Sequence, residues 1–406
     1  MKLFKLITIY LLLYLFAFLP VFAISNETIH PVLLIIGTRP EAIKMIPVYK
    51  ALKEEKIPTL LCSTGQHKEL LDDILKLFRI VPDFDFKIMK ENQDLFDITE
   101  KILVNAKVLF KKIKPSLVVV QGDTTTAMTA ALAAFYLRIP VAHIEAGLRT
   151  KSMPSAFPEE ANRRIISLTA SYHFAPSEKA FSNLFNEGIK KESIFCVGNT
   201  GIDALLMMQT KIQNKQIIPT SEIVEIISKH RSNNYKMLLL TVHRRESLTK
   251  GVRNVFLAVK KALQKNRKLF VIYPIHPNPV IKKILQETKL DTLPNIKITS
   301  SLPYQDMTYI LNAVDGILTD SGGVQEEALG LNKPVLVLRN ETERIEGLDA
   351  DFFKIVGTDK EKIISGIDQI CSNNLNKPAS FNSIYGDGNA SKKIAQIIKN
   401  ILKKGN

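Results

Sequence analysis

Three acidic side chains occupy places where a folded chain could use them to move protons. Asp123 follows the apolar run LVVVQG, Glu145 ends the run VAHIE, and Glu159 comes directly after Pro158, which is typical of the first turn of a helix. The ends of sequential strands in a parallel sheet often neighbour one another, so Asp123 and Glu145 could meet, and paired carboxylates raise each other's pKa. Capping of the following helix is the alternative role for Asp123 and Glu159.

The stretch TVHRRES supplies a histidine and two arginines immediately after an apolar run. His243 has a side chain that transfers protons near neutral pH, and Arg244 and Arg245 beside it favour an anionic ligand. A local hydrogen bond at the end of the strand is the alternative role for the imidazole.

The segment ILTDSGGVQEEALG indicates a phosphate site. It places Ser321, Gly322 and Gly323 between a strand and a helix, where backbone N–H groups and the helix dipole point at an anion. Glu327, one turn into that helix, could accept hydrogen bonds from ribose hydroxyls. An ordinary glycine turn and an exposed helix acid are the alternatives.

A second cationic group lies in VLLIIGTRPEAIKM, where an apolar strand breaks at Gly37 and a helix restarts at Pro40. Arg39 then lies in the turn and Lys44 one helical turn later, so both cations could face a ligand cleft, although solvated charges are the usual outcome for such residues. Three further residues after later strands are weaker candidates, for which surface placement is the simplest interpretation of each alone: His276, Arg339 and Arg344.

These side chains need strands and helices to position them, and the pattern from Pro31 onward supplies both. Short β-branched runs alternate with longer helical ones, which predicts an α/β fold of βαβ units with parallel sheets covered on both faces. The predicted strands are 32–36, 59–63, 117–121, 141–145, 172–175, 194–197, 237–241, 270–274, 296–298, 316–319 and 335–338, and a last helix is predicted at 391–403.

Four segments follow from this pattern. We expect a hydrophobic leader at 1–30, a Rossmann-like domain at 31–205, a second Rossmann-like domain at 206–390, and a terminal helix at 391–406 that packs back on the first domain. The boundary near residue 205 precedes a polar, lysine-rich stretch at 209–235. Two such domains place the carboxyl ends of both sheets around one cleft, where open α/β sheets bind ligands.

Composition narrows the class of protein. A chain of 406 residues with 46% hydrophobic content can bury more than one core, and its net charge of +15 is spread along the sequence, which suits an anionic ligand or a solvated surface. Nucleic-acid binding is disfavoured because tryptophan and the usual recognition signatures are missing from the sequence. The three widely spaced cysteines indicate neither a disulfide framework nor a zinc site, which fits a reducing compartment.

The sequence of the N-terminus, unlike the cysteine pattern, indicates export or attachment to a membrane. Lys2 and Lys5 precede a largely apolar run at 6–23 that ends Val-Phe-Ala, as a secretory signal would, and the same run is long enough to serve as an uncleaved anchor. A start assigned too early is a third interpretation, but the next methionine, Met45, lies beyond the first strand and its loop.

In this order, the segments GTRPEAIKM, GDTTTA, HIEAGLRT, PEEANRR, GNTGIDAL, HRRES and LTDSGGVQEEA resemble the non-hydrolysing bacterial UDP-N-acetylglucosamine 2-epimerases, from about residue 32 to the C-terminus. The resemblance implies a GT-B fold, in which the second domain binds UDP. It also implies conversion of UDP-N-acetylglucosamine to UDP-N-acetylmannosamine by elimination of UDP to 2-acetamidoglucal and re-addition. It implies no NAD, no metal and no other cofactor.

The resemblance also assigns roles by matching residue for residue. Asp123, Glu145 and Glu159 become acid/base candidates, with the acid that abstracts the C2 proton left open, and His243 lies near the diphosphate. The residues implied to hold the substrate are Arg39, Lys44, Ser321, Gly322, Gly323, Glu327 and Arg344. Val242 departs from the family, where glycine often precedes the histidine.

Bacterial members are also activated by UDP-N-acetylglucosamine at a second site, to which Gln66 and His276 would belong, and they form homodimers. Because the substrate is made and used in the cytoplasm, the resemblance implies a cytoplasmic enzyme that supplies surface polysaccharide synthesis. The leader at 1–30 departs from the family, and in a cytoplasmic enzyme it could serve as an inner-membrane anchor. A GT-B glycosyltransferase, a hydrolysing epimerase and a catalytically silent sugar-nucleotide-binding protein are the alternatives.

Overall fold

The computed structural model describes residues 30–150, 153, 156–242, 250–340, 352–375 and 385–404. Within them the chain alternates strand and helix, and it forms two parallel sheets that belong to one unit beginning at Pro31. The predicted α/β class is therefore confirmed.

The first sheet has seven strands in the order β3-β2-β1-β4-β5-β6-β7, all paired in parallel. Its strands are β1 (Val32–Ile36), β2 (Thr59–Ser63), β3 (Phe84–Asp85), β4 (Leu117–Gln121), β5 (Val141–Ile144), β6 (Tyr172–Ala175) and β7 (Ile194–Cys196).

The second sheet has six parallel strands in the order β10-β9-β8-β11-β12-β13. Its strands are β8 (Lys236–Thr241), β9 (Leu269–Pro274), β10 (Ile296–Thr299), β11 (Gly316–Thr319), β12 (Val335–Val337) and β13 (Phe353–Ile355).

Helices connect the strands and cover both faces of each sheet, as parallel pairing requires. They are α1 (Arg39–Glu54), α2 (Lys68–Phe78), α3 (Leu95–Ile113), α4 (Thr125–Tyr136), α5 (Glu159–Thr169), α6 (Glu178–Asn186), α7 (Thr200–Gln213), α8 (Ser221–Ser232), α9 (Lys250–Lys265), α10 (Pro279–Thr288), α11 (Tyr304–Ala313), α12 (Gly322–Gly330), α13 (Lys360–Cys371) and α14 (Ala390–Lys404). Among the described helices, none combines the length and the apolar character needed to cross a bilayer.

The central strands are buried on both faces, which explains their continuous apolar runs. In β1, Leu34 packs in the core that faces α1 and α2, whereas its neighbour Leu33 packs in the core that faces α3 and α4. Both side chains are fully buried, and each contributes roughly 1.5–3 kcal/mol to folding by leaving water. The sheet is thereby fixed in register, and so are the loops at its carboxyl edge.

Helix α7 belongs to the cores of both sheets, and helix α14 joins the core of the first. In α7, Leu205 packs in the core of the second sheet and Met208 in that of the first. Helix α14 returns from the second sheet and buries Ile394 and Ile398 against the first core. The N-terminus of α14 is held by Asp203 of α7, which accepts hydrogen bonds from the backbone N–H of Ser391 at 2.7 Å and from its hydroxyl at 2.5 Å.

Candidate functional site

A cavity of about 600 Å³ lies between the carboxyl edges of the two sheets. Its walls come from the loops after β4, β5 and β11 and from helices α1, α5, α7, α11 and α12. Such an edge is where open α/β sheets bind ligands, because loops from several strands converge there. The structure brings eight of the predicted site residues to this cavity: Arg39, Lys44, Asp123, Glu145, Glu159, Ser321, Gly323 and Glu327.

Asp123 is held firmly at the tip of β4. Its carboxylate Oδ2 accepts a hydrogen bond from Arg163 Nη1 at 2.5 Å, and its carbonyl accepts one from Asn162 Nδ2 at 2.8 Å. The preceding Gly122 has a φ of +71°, a left-handed conformation that favours glycine. Asp123 therefore borders the cavity from a turn whose left-handed residue is best supplied by glycine.

A buried histidine supports the same turn. His143 of β5 lies 2.7 Å from the Gly122 carbonyl through Nε2. Burial lowers the pKa of His143 to about 3, so the ring is neutral, and because a carbonyl only accepts, the proton lies on Nε2. His143 is thus a hydrogen-bond donor that supports the turn.

Glu145 follows β5 in a strained backbone conformation. Its φ is +65°, which is uncommon outside glycine and costs ~1–3 kcal/mol. Its Oε2 accepts a hydrogen bond from Gln121 Nε2 at 2.9 Å and forms an ion pair with Lys44. These contacts hold the carboxylate at the wall of the cavity, and strained backbone of this kind is often found at functional sites.

Lys44 links the two halves of the site. Besides Glu145, its ammonium lies 3.7 Å from Oε2 of Glu326 on α12, and that oxygen also accepts a hydrogen bond from Asn199 Nδ2 at 2.8 Å. The predicted ligand-holding lysine therefore contacts carboxylates from both sheets.

A second buried acid joins the loops that carry Arg39 and Asp123. Glu41 of α1 is 1% exposed and accepts hydrogen bonds from Gly37 N at 3.0 Å and Thr124 Oγ1 at 2.7 Å. Burial raises its pKa from 4.5 to about 7, against the effect of these hydrogen bonds. Glu41 thus fixes two site loops relative to each other.

The glycine-rich segment forms the opposite wall. Ser321 occupies the N-cap position of α12, and Gly323 faces open space, since an added Cβ there would meet no atom within 4 Å. The half-buried Glu327 has a pKa raised to about 7 by burial and by the adjacent Glu326. Exposed N–H groups at a helix N-terminus form a ready anion site, which suits phosphate.

Helix α5 begins with two acids, of which only Glu159 is a predicted site residue. Glu159 is exposed at the cavity, whereas Glu160 is fully buried. The carboxylate of Glu160 accepts three hydrogen bonds, from Thr150 N at 2.9 Å, Arg163 Nη2 at 2.8 Å and Arg164 Nε at 2.9 Å. Burial opposes ionisation of Glu160, but these hydrogen bonds outweigh it and lower its pKa.

Sequence reasoning missed Glu41, Glu160, Arg163, Glu326 and Asn199. The spacing of Glu160 and Arg163, three residues apart on one helix, was a visible signal of an ion pair. The other contacts join distant parts of the chain, and no local pattern reveals them.

The remaining predicted residues fall elsewhere. Gln66 is buried beside the site, where its Oε1 accepts a hydrogen bond from Thr126 Oγ1 at 2.8 Å, and His276 is exposed after β9. Over the part of the chain that the structure describes, the cavity lining includes neither of them, nor Arg339. Gly322 is buried beside Ser321 in the first turn of α12. The predictions on His243, Arg244, Arg245 and Arg344 concern residues that lie outside the described ones.

No cluster of three or more His, Cys, Asp or Glu side chains within the described ranges is arranged to hold a metal ion. Of the three free cysteines, Cys62 is buried, Cys196 is exposed and Cys371 is half-buried.

Comparison with known proteins gives a consistent result. A family model described as UDP-N-acetylglucosamine 2-epimerase matches residues 50–399. The UDP-N-acetylglucosamine 2-epimerases of Campylobacter jejuni and Bacillus subtilis are each 43% identical to this chain, over 92% and 90% of it and over 97% and 94% of their own lengths.

Solved structures agree with the sequence comparison. The crystal structure of UDP-GlcNAc 2-epimerase from Neisseria meningitidis bound to UDP-GlcNAc superimposes with a TM-score of 0.82 at 40% identity, over 91% of this chain and all of that one. A putative UDP-N-acetylglucosamine 2-epimerase from Listeria monocytogenes gives a TM-score of 0.83 at 37% identity, over 92% and 97% of the two chains. The two-sheet architecture is accordingly the GT-B fold, as predicted, and the chain belongs to the UDP-N-acetylglucosamine 2-epimerase family.

Proposed function

We propose that this protein interconverts UDP-N-acetylglucosamine and UDP-N-acetylmannosamine by inverting C2 without releasing free sugar. The observation that carries the proposal is the cavity itself. It sets three carboxyl groups, Asp123, Glu145 and Glu159, opposite the glycine-rich N-terminus of α12. A base on one wall and an anion site on the other are what elimination of a nucleoside diphosphate from C1 and C2 of a sugar requires.

In the first half of the reaction, a carboxylate takes the C2 proton while the C1–O bond breaks. The electron pair of the C2–H bond becomes the C1=C2 bond of 2-acetamidoglucal, and UDP leaves with the electrons of the C1–O bond. The backbone N–H of Ser321 donates to Thr319 Oγ1 at 3.0 Å, so the N–H of Gly323 in the first turn of α12, the hydroxyl of Ser321 and the cation of Arg39 stabilise the charge that develops on the diphosphate.

In the second half, the same steps run backwards on the other face of the sugar. A carboxylic acid protonates C2 from the opposite side, and the diphosphate oxygen of UDP attacks C1. Because the two proton transfers occur on opposite faces, more than one acid is needed, and the cavity supplies three. The half-buried Glu327 is suited to accept hydrogen bonds from the ribose.

The test is proton NMR of UDP-N-acetylglucosamine incubated in deuterated water with the wild-type protein, without added NAD or metal. We expect deuterium at C2 of both epimers, and loss of the exchange in Asp123→Asn, Glu145→Gln and Glu159→Gln. The exposed Asp291, in the turn between α10 and β10, provides a control, Asp291→Asn, that should exchange like the wild type.

Each alternative has its own signature in the same experiment. Free N-acetylmannosamine would assign the protein to hydrolysing epimerases, and UDP release only with an added acceptor would assign it to glycosyltransferases. Binding of UDP-N-acetylglucosamine with no change at C2 would contradict catalysis altogether.

We further propose that UDP-N-acetylglucosamine activates the enzyme at a second site that includes Gln66 and His276. The position of Gln66 supports this, since its side chain accepts a hydrogen bond from Thr126 in the helix that follows Asp123. Gln66→Ala should leave UDP binding intact and abolish the stimulation of the reverse reaction by added UDP-N-acetylglucosamine. An unchanged dependence on this nucleotide would contradict the second site.

We propose a homodimer that forms through an exposed face of α3. Val104 and Val108, four residues apart and therefore on the same face of this helix, are 57% and 66% exposed. Apolar side chains exposed together mark interaction surfaces. Light scattering should give twice the chain mass, and Val108→Lys should shift it towards the monomer; a monomeric wild type would contradict the proposal.

We propose a cytoplasmic location, with residues 1–30 as an inner-membrane anchor and the product consumed in surface polysaccharide synthesis. The sequence of the apolar run after Lys2 and Lys5 supports the anchor. Fractionation should recover the full-length chain with inner membranes and on their cytoplasmic side. A shortened chain in the periplasm would contradict it.

A further inference from the structure

One arginine contacts two acids of the site from a buried position. Arg163 of α5 is 7% exposed. Its Nη1 donates to Asp123 Oδ2 at 2.5 Å, and its Nη2 and Nε donate to Glu160 Oε2 at 2.8 Å and 3.1 Å. The guanidinium fork therefore joins the tip of β4 to the first turn of α5.

Glu160, the buried partner of Arg163, connects these two segments to a third. Glu160 Oε2 also accepts hydrogen bonds from the backbone N–H of Thr150 at 2.9 Å and from its hydroxyl at 3.0 Å. Thr150 follows Glu145 by five residues, and Glu160 is adjacent to Glu159. A single ion-pair network thus contacts the three segments that carry the acids of the cavity.

We propose that Arg163 is a positioning residue that sets the mutual placement of Asp123, Glu145 and Glu159, an inference that rests on the proposed epimerase function. The side chain of Asp123 is 31% exposed and borders the cavity. Without a partner it would rotate among several rotamers, and the fork of Arg163 selects one of them.

The proposed reaction requires the acids of the cavity to be held in fixed positions. Inversion at C2 removes a proton from one face of the sugar and returns it on the other, so the acids must keep their distances to one another as well as to the substrate. A displacement of about 1 Å in such a site can cost about 10²-fold in rate. Lysine cannot replace the fork, because its ammonium is a single point charge without the planar pair of donors.

The neighbouring arginine supplies a matched control. Arg164 donates to the other oxygen of Glu160, at 2.9 Å, but its contacts within the described residues do not include Asp123, and its side chain is 47% exposed. Arg164→Gln removes one charge and one hydrogen bond to Glu160, on the same helix, without touching the acid at the cavity.

The experiment measures kcat and KM for epimerisation in Arg163→Gln, Arg163→Lys and Arg164→Gln. We expect kcat of Arg163→Gln to fall by about 10²-fold with KM changed by less than about threefold, because an interaction made for the transition state is lost while binding is kept. Arg163→Lys should recover part of kcat, and Arg164→Gln should stay within about threefold of the wild type. Circular dichroism shows whether each variant folds. If Arg163→Gln does not fold, the comparison of Arg163→Lys with Arg164→Gln tests the proposal.

Other outcomes would overturn the inference. Equal losses in Arg163→Lys and Arg164→Gln would make the network a purely structural one, and a raised KM with unchanged kcat would make Arg163 a ligand contact. A wild type that exchanges deuterium at C2 while both Arg163 variants match its kcat refutes this inference alone. A wild type that does not exchange refutes the proposed function and the inference with it.

Discussion

The buried Glu41 makes stability depend on pH in a direction opposite to that of most carboxylates. Its folded-state pKa is raised from 4.5 to about 7, chiefly by burial. Between these two pH values Glu41 binds a proton in the folded chain that it has released in the unfolded chain. The stability that this proton provides is therefore complete below pH 4.5 and is lost as the pH rises through about 7. Above that pH the fold must hold a buried charge.

The perturbation that removes this effect is Glu41→Gln. An amide oxygen can still accept the hydrogen bond from Gly37 N, and its NH₂ group can donate to the hydroxyl of Thr124, so the geometry of both loops is kept. The shift of 7 − 4.5 = 2.5 pKa units corresponds to about 3 kcal/mol. The variant should therefore gain about 3 kcal/mol over the wild type between pH 4.5 and about pH 8.

Urea unfolding followed by circular dichroism at several pH values measures this difference, and subtracting the two proteins cancels every other titrating group, including Glu327. Glu54→Gln, at an exposed position on the same helix, is the control and should show no such trend. A difference between Glu41→Gln and wild type that stays constant within about 0.5 kcal/mol across this range would refute the reasoning.

Three further predictions concern single contacts. Asp203→Ala leaves the N-terminus of α14 without its acceptor for Ser391, and urea unfolding should show a loss of about 2 kcal/mol. Gly37→Ala places a Cβ 2.2 Å from Thr126 Oγ1, and overpacking of this kind should lower stability by about 1–3 kcal/mol, seen as a lower melting temperature. His143→Leu removes the donor to the turn before the acid at β4, and kcat should fall roughly tenfold, the equivalent of one hydrogen bond, with circular dichroism unchanged.

Much of the fold follows from local pattern alone. The strands β1, β2, β4, β6 and β11 have the predicted bounds, because each is a short, mostly apolar run followed by a polar or glycine-bearing turn. The strands β3 and β13, of two and three residues, escaped prediction because they lie at sheet edges and have no such run. The prediction extended β5 to Glu145, whereas the strand ends one residue earlier and that acid takes a positive φ.

The residues of the candidate site also divide into those that the sequence could predict and those that it could not. Positions such as Asp123 and Ser321 could be predicted because each follows a strand, and strand ends converge at one edge. The residues that hydrogen-bond to the site acids could not be predicted from the sequence. The contacts of Arg163 with Asp123 and of Thr124 with Glu41 join residues that are 40 and 83 positions apart. Charge type and spacing indicate that an acid is present, but only packing decides whether it caps a helix, supports a loop or faces the cavity.

The boundary predicted near residue 205 falls inside α7, whose Leu205 and Met208 belong to different cores, and α14 crosses back to the first sheet. A cut at that position would leave each fragment with an unburied helix face. Chimaeras that exchange halves between relatives should therefore keep α7 and α14 from one parent together with the first sheet.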